Sequence, residues 1–258
     1  MVFTEIWMSV ACAMAGAITG SFLGFLVSRI SRGESLLVPP RSLCPHCRHA
    51  LGIRDLVPLM SFLLLRGRCR YCQTPIPVFY PTIELIAALI TVALVSLPDP
   101  ALSLWIWPLA MAGLAISIID LRILIVPDRI LLPLSLWAIG GNFFLKQIPP
   151  EEMVFGVLLG FWLPDLIGRL ARRVLGRESL GFGDVKLGAV LGLYTGPSGF
   201  LLTLFLASLT GLAVGVFVRK DADQPGEPQV IPFAPFLVSA ALMVILWGDI
   251  LRPFIWSL

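Results

Sequence analysis

The sequence predicts an all-α polytopic membrane protein of about eight transmembrane helices, with a small cytoplasmic zinc-binding insert between the first and second. Three observations predict it. The chain has 258 residues, 57% of them hydrophobic and 14% charged, whereas a soluble domain carries about 25% charged residues. Eight apolar segments follow one another, at roughly 6–28, 81–98, 101–119, 129–146, 152–170, 185–196, 198–218 and 231–250, most of them close to the length a helix needs to cross hydrocarbon. The basic residues then divide by side. With the N-terminus outside, the inside segments hold Arg29, Arg32, Arg41, Arg48, Arg54, Arg66, Arg68, Arg70, Arg122, Arg129, Arg169, Arg172, Arg173, Arg177, Lys186, Arg219 and Lys220, and only Lys146 and Arg252 remain outside. That asymmetry is the positive-inside rule, and it places both termini outside. The net charge of +3 follows from loop topology and gives no nucleic-acid signature.

The first segment lacks a basic leader region and carries Glu5, so it reads as a retained helix rather than a signal peptide. Cys12 within it reads as a small packing residue. The insert at 31–80 is the only large soluble stretch. Glu84 opens the second segment, where an acid suits the helix dipole. Asp120 ends the third segment. Asp128, after Pro127, reads as the N-cap of the fourth, and Asp165 pairs with Arg169 one turn later in the fifth. The sixth is short and glycine-rich from Leu187 to Tyr194, suited to a tilted or protein-shielded helix. Arg219 to Gln229, with Pro225-Gly226 and Pro228, reads as a polar connecting loop. Low-complexity tracts and internal repeats are not evident. The domain reading is therefore 1–30, a first transmembrane helix; 31–80, a cytoplasmic four-cysteine module; and 81–258, a membrane domain.

The module carries Cys44-Pro-His-Cys47 and Cys69-Arg-Tyr-Cys72, with 21 residues between the pairs. Zinc takes four thiolates tetrahedrally, and each CxxC supplies two from one tight turn. Disulfides are the alternative, as are free thiols, but a reducing cytoplasm argues against disulfides. His46 and His49 are spare ligands. A stretch of this length has little core of its own, so the zinc reads as structural.

Asp120 and Asp184 lie where apolar segments meet polar ones, and an acid in such a place is a functional candidate. A salt bridge to Arg122 is the plain alternative for Asp120, and Asp128 is its rival for a catalytic role. Asp184 ends the run Gly181-Phe182-Gly183-Asp184, whose glycines permit unusual backbone angles or close approaches. Two acids on one side of a membrane suit an aspartic protease if the fold brings them together.

At this point the motifs match a family. The chain resembles the type IV prepilin peptidases, bifunctional leader peptidase/N-methyltransferases of the GxGD type. Gly20-Ser21-Phe22-Leu23 followed by Arg29 is similar to the family's N-terminal signature, with Gly24 where Asn is common. The cysteine module through Leu65-Arg66-Gly67-Arg68-Cys69, the exit Tyr80-Pro81-Thr82-Ile83-Glu84, Asp120 with Val126-Pro127-Asp128, and Gly181-Phe182-Gly183-Asp184-Val185-Lys186 match in order. Ile231-Pro232-Phe233-Ala234-Pro235-Phe236 resembles the late Pro-Phe-Gly-Pro motif, with Ala234 for Gly. The resemblance implies a bacterial inner-membrane protease with Asp120 and Asp184 catalytic near the cytoplasmic face. It implies supporting roles for Gly181, Gly183, Lys186, Asp128, Glu84, Gly67 and Pro235. It also implies prepilin or type II secretion pseudopilin substrates, cleaved after a short basic leader. S-adenosylmethionine is implied as donor for methylation of the new N-terminus. Two other readings compete. One is a peptidase alone with a structural cysteine module. The other is an ion-coupled transporter, which predicts acids near the midplane and repeated halves.

Overall fold

The computed structural model describes residues 2–35, 42–176, 180–220 and 231–256. Arg41, Arg177 and most of the predicted 219–229 loop lie outside the described residues. The described chain is helical, with two isolated β-bridges in the cysteine module, Leu43 with Ala50 and Arg68 with Pro75. The helices are α1 (Val2–Ser31), α2 (Met60–Leu64), α3 (Phe79–Val95), α4 (Pro100–Ile123), α5 (Asp128–Leu145), α6 (Pro150–Leu175), α7 (Phe182–Lys220) and α8 (Ala234–Trp256). Every predicted apolar segment lies on a helix. The sixth and seventh share α7, which breaks at Gly196, with φ 65° and ψ −179°, just before Pro197. A left-handed glycine followed by a residue without an N–H is a sufficient cause for that kink. Among the described residues, four stretches are long and apolar enough to cross a membrane: Trp7–Ser31, Pro100–Ile123, Pro150–Val174 and Phe182–Phe217. Phe79–Val95 and Ala234–Gly248 are shorter apolar helices.

The chain forms two compact units, Met1–Trp107 and Pro108–Leu258. In the first, α1 packs on α3 through small residues. A Cβ on Gly20 would stand 2.7 Å from the Cα of Glu84, so the backbones meet there. Further along the seam, Ser28 Oγ and Tyr80 Oη lie 3.0 Å apart. Without hydrophobic driving force between helices in lipid, such close approach and polar bridging hold helices together.

In the second unit α7 is central, packed by α5, α6 and α8. Gly156 and Gly160 of α6 meet Gly192 and Gly188 of α7 backbone to backbone. The core of this unit is apolar and fully enclosed around Ile116, Ile119, Leu187, Leu191, Phe200 and Leu237. Asp165 pairs with Arg169, as expected from their spacing. Asn142 closes the α5–α6 connection: its Nδ2 donates to Ile148 O at 2.6 Å and its Oδ1 accepts from Ile148 N at 2.9 Å.

Candidate active site and metal centre

Asp120 sits in the last turn of α4 and is 5% exposed. Its Oδ2 accepts a 3.0 Å hydrogen bond from the backbone N–H of Ala234, the first residue of α8. The first N–H groups of a helix have no partner within it and carry the positive end of its dipole. Asp120 therefore caps α8 from another helix, and no ion pair with Arg122 is needed to explain its burial. Asp184 is in the first turn of α7, another helix N-terminus. Gly181 O accepts from Asp184 N at 3.0 Å, which opens that turn. Asp184 Oδ1 is buried and has no hydrogen-bond partner among the described residues. The two carboxylates are close enough for the charge of Asp120 to act on Asp184. A buried carboxylate oxygen with no partner among the described residues is free to accept from a polar reactant.

Gly183 explains part of this geometry. It has no positive φ; what it needs is space. A Cβ there would stand 3.0 Å from Val126 Cβ and 3.3 Å from Val126 N. Val126, itself buried, thus presses the segment after α4 onto the start of α7. Gly181 is different, since a Cβ there would meet only Asp184 Oδ2 at 3.4 Å, an ordinary contact.

Cys44, Cys47, Cys69 and Cys72 bring their Sγ atoms within 4.8 Å of one another, and Cys44 and Cys72 Sγ are 3.8 Å apart. Four sulfurs around zinc at about 2.3 Å are about 3.8 Å apart, so the donor set fits a tetrahedral ion. The two knuckles repeat one backbone design. Cys44 N donates to His49 O and Arg48 N to Cys44 O; Cys69 N donates to Thr74 O and Gln73 N to Cys69 O. Arg48 and Gln73 occupy the same left-handed position, at φ 56° and 57°. The sequence shows this repeat only as CxxC. Hydrogen bonding with the Thr74 side chain, foremost, and with its backbone brings the Cys72 thiol down to about 6. Cys47 is held up at about 11: the His49 backbone pulls it down, but desolvation and the Cys44 and Cys72 thiols outweigh that. Four thiol sulfurs gathered at this spacing are a donor set that a bound cation would deprotonate and hold. All four thiols are free of disulfides, against the disulfide alternative.

Two family models match the chain: the bacterial peptidase A24 N-terminal domain over residues 14–97, and the type IV leader peptidase family over residues 107–216. A protein of Aeromonas hydrophila named prepilin leader peptidase/N-methyltransferase is 36% identical over 220 residues, covering 83% of this chain and 73% of its own. A protein of the same name from Stutzerimonas stutzeri is 32% identical over 269 residues, with 93% and 91% covered. Another, from Pseudomonas aeruginosa, is 32% identical over 264 residues, with 92% and 89% covered. The chain belongs to the type IV leader peptidase family. It is an enzyme of the peptidase class and a multi-pass membrane protein. No solved structure matches it.

The other predicted residues of this leader peptidase have defined places. Asp128 is not the N-cap of its helix. Pro127 holds that position, and Asp128 is the first helical residue. It pairs instead with Lys186, because the turn after α4 brings it to α7 rather than back over its own amides. Lys186 also lies 5.3 Å from the centroid of the Phe182 ring. Glu84 does not serve the first turn of α3. It lies further in, 8% exposed, and its Oε2 accepts from Leu59 N at 2.8 Å. That bond ties the cysteine module to α3. Gly67, at φ 69°, sits in the turn before the second knuckle, where a Cβ would stand 3.1 Å from Phe62 Cζ. Pro235 lies in the first turn of α8 beside Ala234, and its carbonyl accepts from Ser239 Oγ. The amide of Ala234, the Val126 contact and the Leu59 amide went unread in the sequence. Only the Pro-Phe-Ala-Pro motif pointed near the first of them, and backbone donors leave no residue signature.

Proposed function

We propose that the enzyme cleaves the short basic leader from type IV prepilins or secretion pseudopilins through Asp120 and Asp184, at the cytoplasmic face of the bacterial inner membrane. The supporting observation is that two carboxylates from α4 and α7 lie within electrostatic reach, one held by a helix N-terminus and the other with a buried oxygen unpartnered. Two close carboxylates share one proton and titrate as a pair. Asp120, already accepting the Ala234 amide, acts as the ionised base on a water. Asp184 carries the shared proton and polarises the scissile carbonyl. The water oxygen bonds to the carbonyl carbon as Asp120 takes a water proton and Asp184 gives its proton to the carbonyl oxygen; the C–N bond then breaks as Asp120 passes its proton to the leaving amine and Asp184 takes its own back from the hydroxyl. Asp120 is in the last turn of its helix and Asp184 in the first turn of its own, which favours this reading over a transporter with acids at mid-helix. Eight membrane crossings with both termini outside follow from the apolar segments and the basic residues, and put these helix ends on the leader's side. In this reading the 31–80 module hangs between a first helix, 1–30, and the peptidase domain, 81–258.

A plain capping role for Asp120 makes a separable expectation. Asp120→Asn keeps a carbonyl oxygen for the Ala234 amide but removes the charge. A cap survives this change; a general base does not. Asp120→Asn and Asp184→Asn are each expected to abolish cleavage of a prepilin while inserting normally into membranes. Full cleavage by either variant rules out the pair.

The relatives' shared name carries a second activity, methylation of the new N-terminal amine. S-adenosylmethionine would supply the methyl group. Arg29 of the first unit fits the carboxylate end of such a donor. It is 5% exposed, its Nη1 donates to Ser35 O at 2.7 Å, and its guanidinium lies 4.6 Å from the centroid of the Phe25 ring. A buried cation paired with no carboxylate among the described residues favours an anionic partner. The four cysteines would hold a structural zinc that shapes the module. Mass spectrometry of the mature pilin N-terminus separates the bifunctional enzyme from a peptidase alone, since an unmethylated product favours the latter.

A further inference from the structure

We propose that the Asp128–Lys186 ion pair is a positioning device that holds the segment following α4 on the start of α7, so that Asp120 and Asp184 stay in register. This rests on reading those two as the catalytic pair. The path from one acid to the other is short and is fastened at two points. Immediately after Asp120, α4 ends in a turn in which Leu124 N donates to Asp120 O at 2.9 Å, with Leu124 at φ 55°. A left-handed conformation is unfavourable for leucine, so this turn does not hold itself. Two residues on, Val126 packs against Gly183, immediately before Asp184. Two further on, Asp128 pairs with Lys186, two residues after Asp184. The segment from 120 to 128 thus grips α7 on both sides of Asp184.

Neither of two simpler roles accounts for the pair. As a contribution to stability it is weak, because the side chains are 71% and 31% exposed and exposed ion pairs contribute little. As direct chemistry it is misplaced. The Lys186 ammonium goes to Asp128 and the Phe182 ring face, and the charge acting on Asp184 is that of Asp120. What remains is geometry. Displacement of a reacting group by about 1 Å can cost on the order of 100-fold in rate.

The test uses the full-length enzyme in bilayer vesicles with a purified prepilin. It measures kcat, KM and thermal melting for Asp128→Asn, Lys186→Met, the charge-keeping Asp128→Glu, and the exchanged pair Asp128→Lys/Lys186→Asp. The two neutralised variants are expected to lose about 10- to 100-fold in kcat, with KM and melting near those of the parent. Asp128→Glu is expected to stay near the parent, and the exchanged pair to recover most of the loss. A rise in KM with unchanged kcat would make the pair a substrate-binding site and overturn the proposal. So would an exchanged pair no better than the single variants. Parent-like kcat in both neutralised variants, alongside an inactive Asp120→Asn, would overturn the positioning role alone. Parent-like cleavage by Asp120→Asn would overturn the catalytic reading and this proposal with it.

Discussion

The cysteine module and the aspartate pair are sites of opposite construction. The module is local. Its two turns each place two sulfurs by their own backbone hydrogen bonds, and the knuckles repeat one design down to a left-handed residue after the second cysteine. The aspartate pair is remote. Asp120 is fixed by an amide from α8, and Asp184 by a glycine pressed on Val126. The first site is encoded in spacing, the second in which helices pack on which. The lesson is that they should fail differently: one by losing a ligand, the other by losing either a carboxylate or a contact far from it in sequence.

The largest effect tests that independence. Asp184→Asn should reduce leader cleavage by at least about 10²- to 10⁴-fold, the range for a positioned acid or base, with the metal content of the purified protein unchanged. Cleavage within a few-fold of the parent would remove Asp184 from the chemistry. The converse change, Cys44→Ser with Cys47→Ser, should abolish bound zinc and expose the 42–78 stretch to protease, since a small metal module folds with its ion. Cleavage should fall far less than in the aspartate variant. Absence of zinc from the unmodified protein would break the comparison at its other end.

The same contrast explains what could be read in advance. All eight apolar segments lie on helices, the form in which an apolar run satisfies its backbone within itself, although only four helical stretches among the described residues are long and apolar enough to cross a membrane. The cysteine cluster was legible because ligand spacing is set within one turn. Asp120 and Asp184 could be nominated, since each sits at an apolar boundary, but their approach depends on tertiary contacts that no local pattern encodes. Asp128 shows the failure most clearly. Its place after Pro127 is sound capping grammar, yet a lysine on another helix offers its carboxylate a stronger partner. Glu84 was misread for a similar reason: the amide that uses it comes from Leu59, across the module. The break within α7 was half legible, as a glycine-rich segment followed by Gly196-Pro197, and the sharing of one long element by two segments was not.

Two intermediate changes sharpen the comparison. Gly183→Ala puts a methyl group 3.0 Å from Val126 Cβ and 3.3 Å from Val126 N, so this contact beside Asp184 must give by a few tenths of an ångström. We expect about a 10- to 100-fold loss of cleavage with zinc retained, and a kinetically silent variant would show that the Val126 contact does not set the site. Glu84→Leu removes the acceptor of the Leu59 amide. A fully buried donor left unsatisfied costs about 1–3 kcal/mol and this part-buried one less, so the module should exchange amide hydrogens faster while kcat for cleavage changes little. Equal slowing of cleavage and loosening of the module would mean that the two sites are not independent.

The smallest effect is electrostatic and lies wholly within the module. Asp55 accepts from Arg70 Nε at 2.7 Å, from Gly52 N at 3.0 Å and from Tyr71 Oη at 3.1 Å. The Arg70 hydrogen bond, foremost, holds its carboxyl below the usual 3.8. A carboxylate depressed in the folded state contributes stability that is fully present above its unfolded value and is lost as pH falls through the lower folded value. Asp55→Asn should therefore weaken the module at pH 7, and the gap between variant and parent should close between about pH 4 and the depressed folded value. With zinc in excess, thiolate protonation acts on both proteins alike, so the difference between them isolates Asp55. A gap in denaturant midpoint that stays constant from pH 7 to about 3 would show that Asp55 acts through its shape alone. Leader cleavage by Asp55→Asn should match the parent throughout, because nothing in the aspartate site depends on a charge that the module keeps for itself.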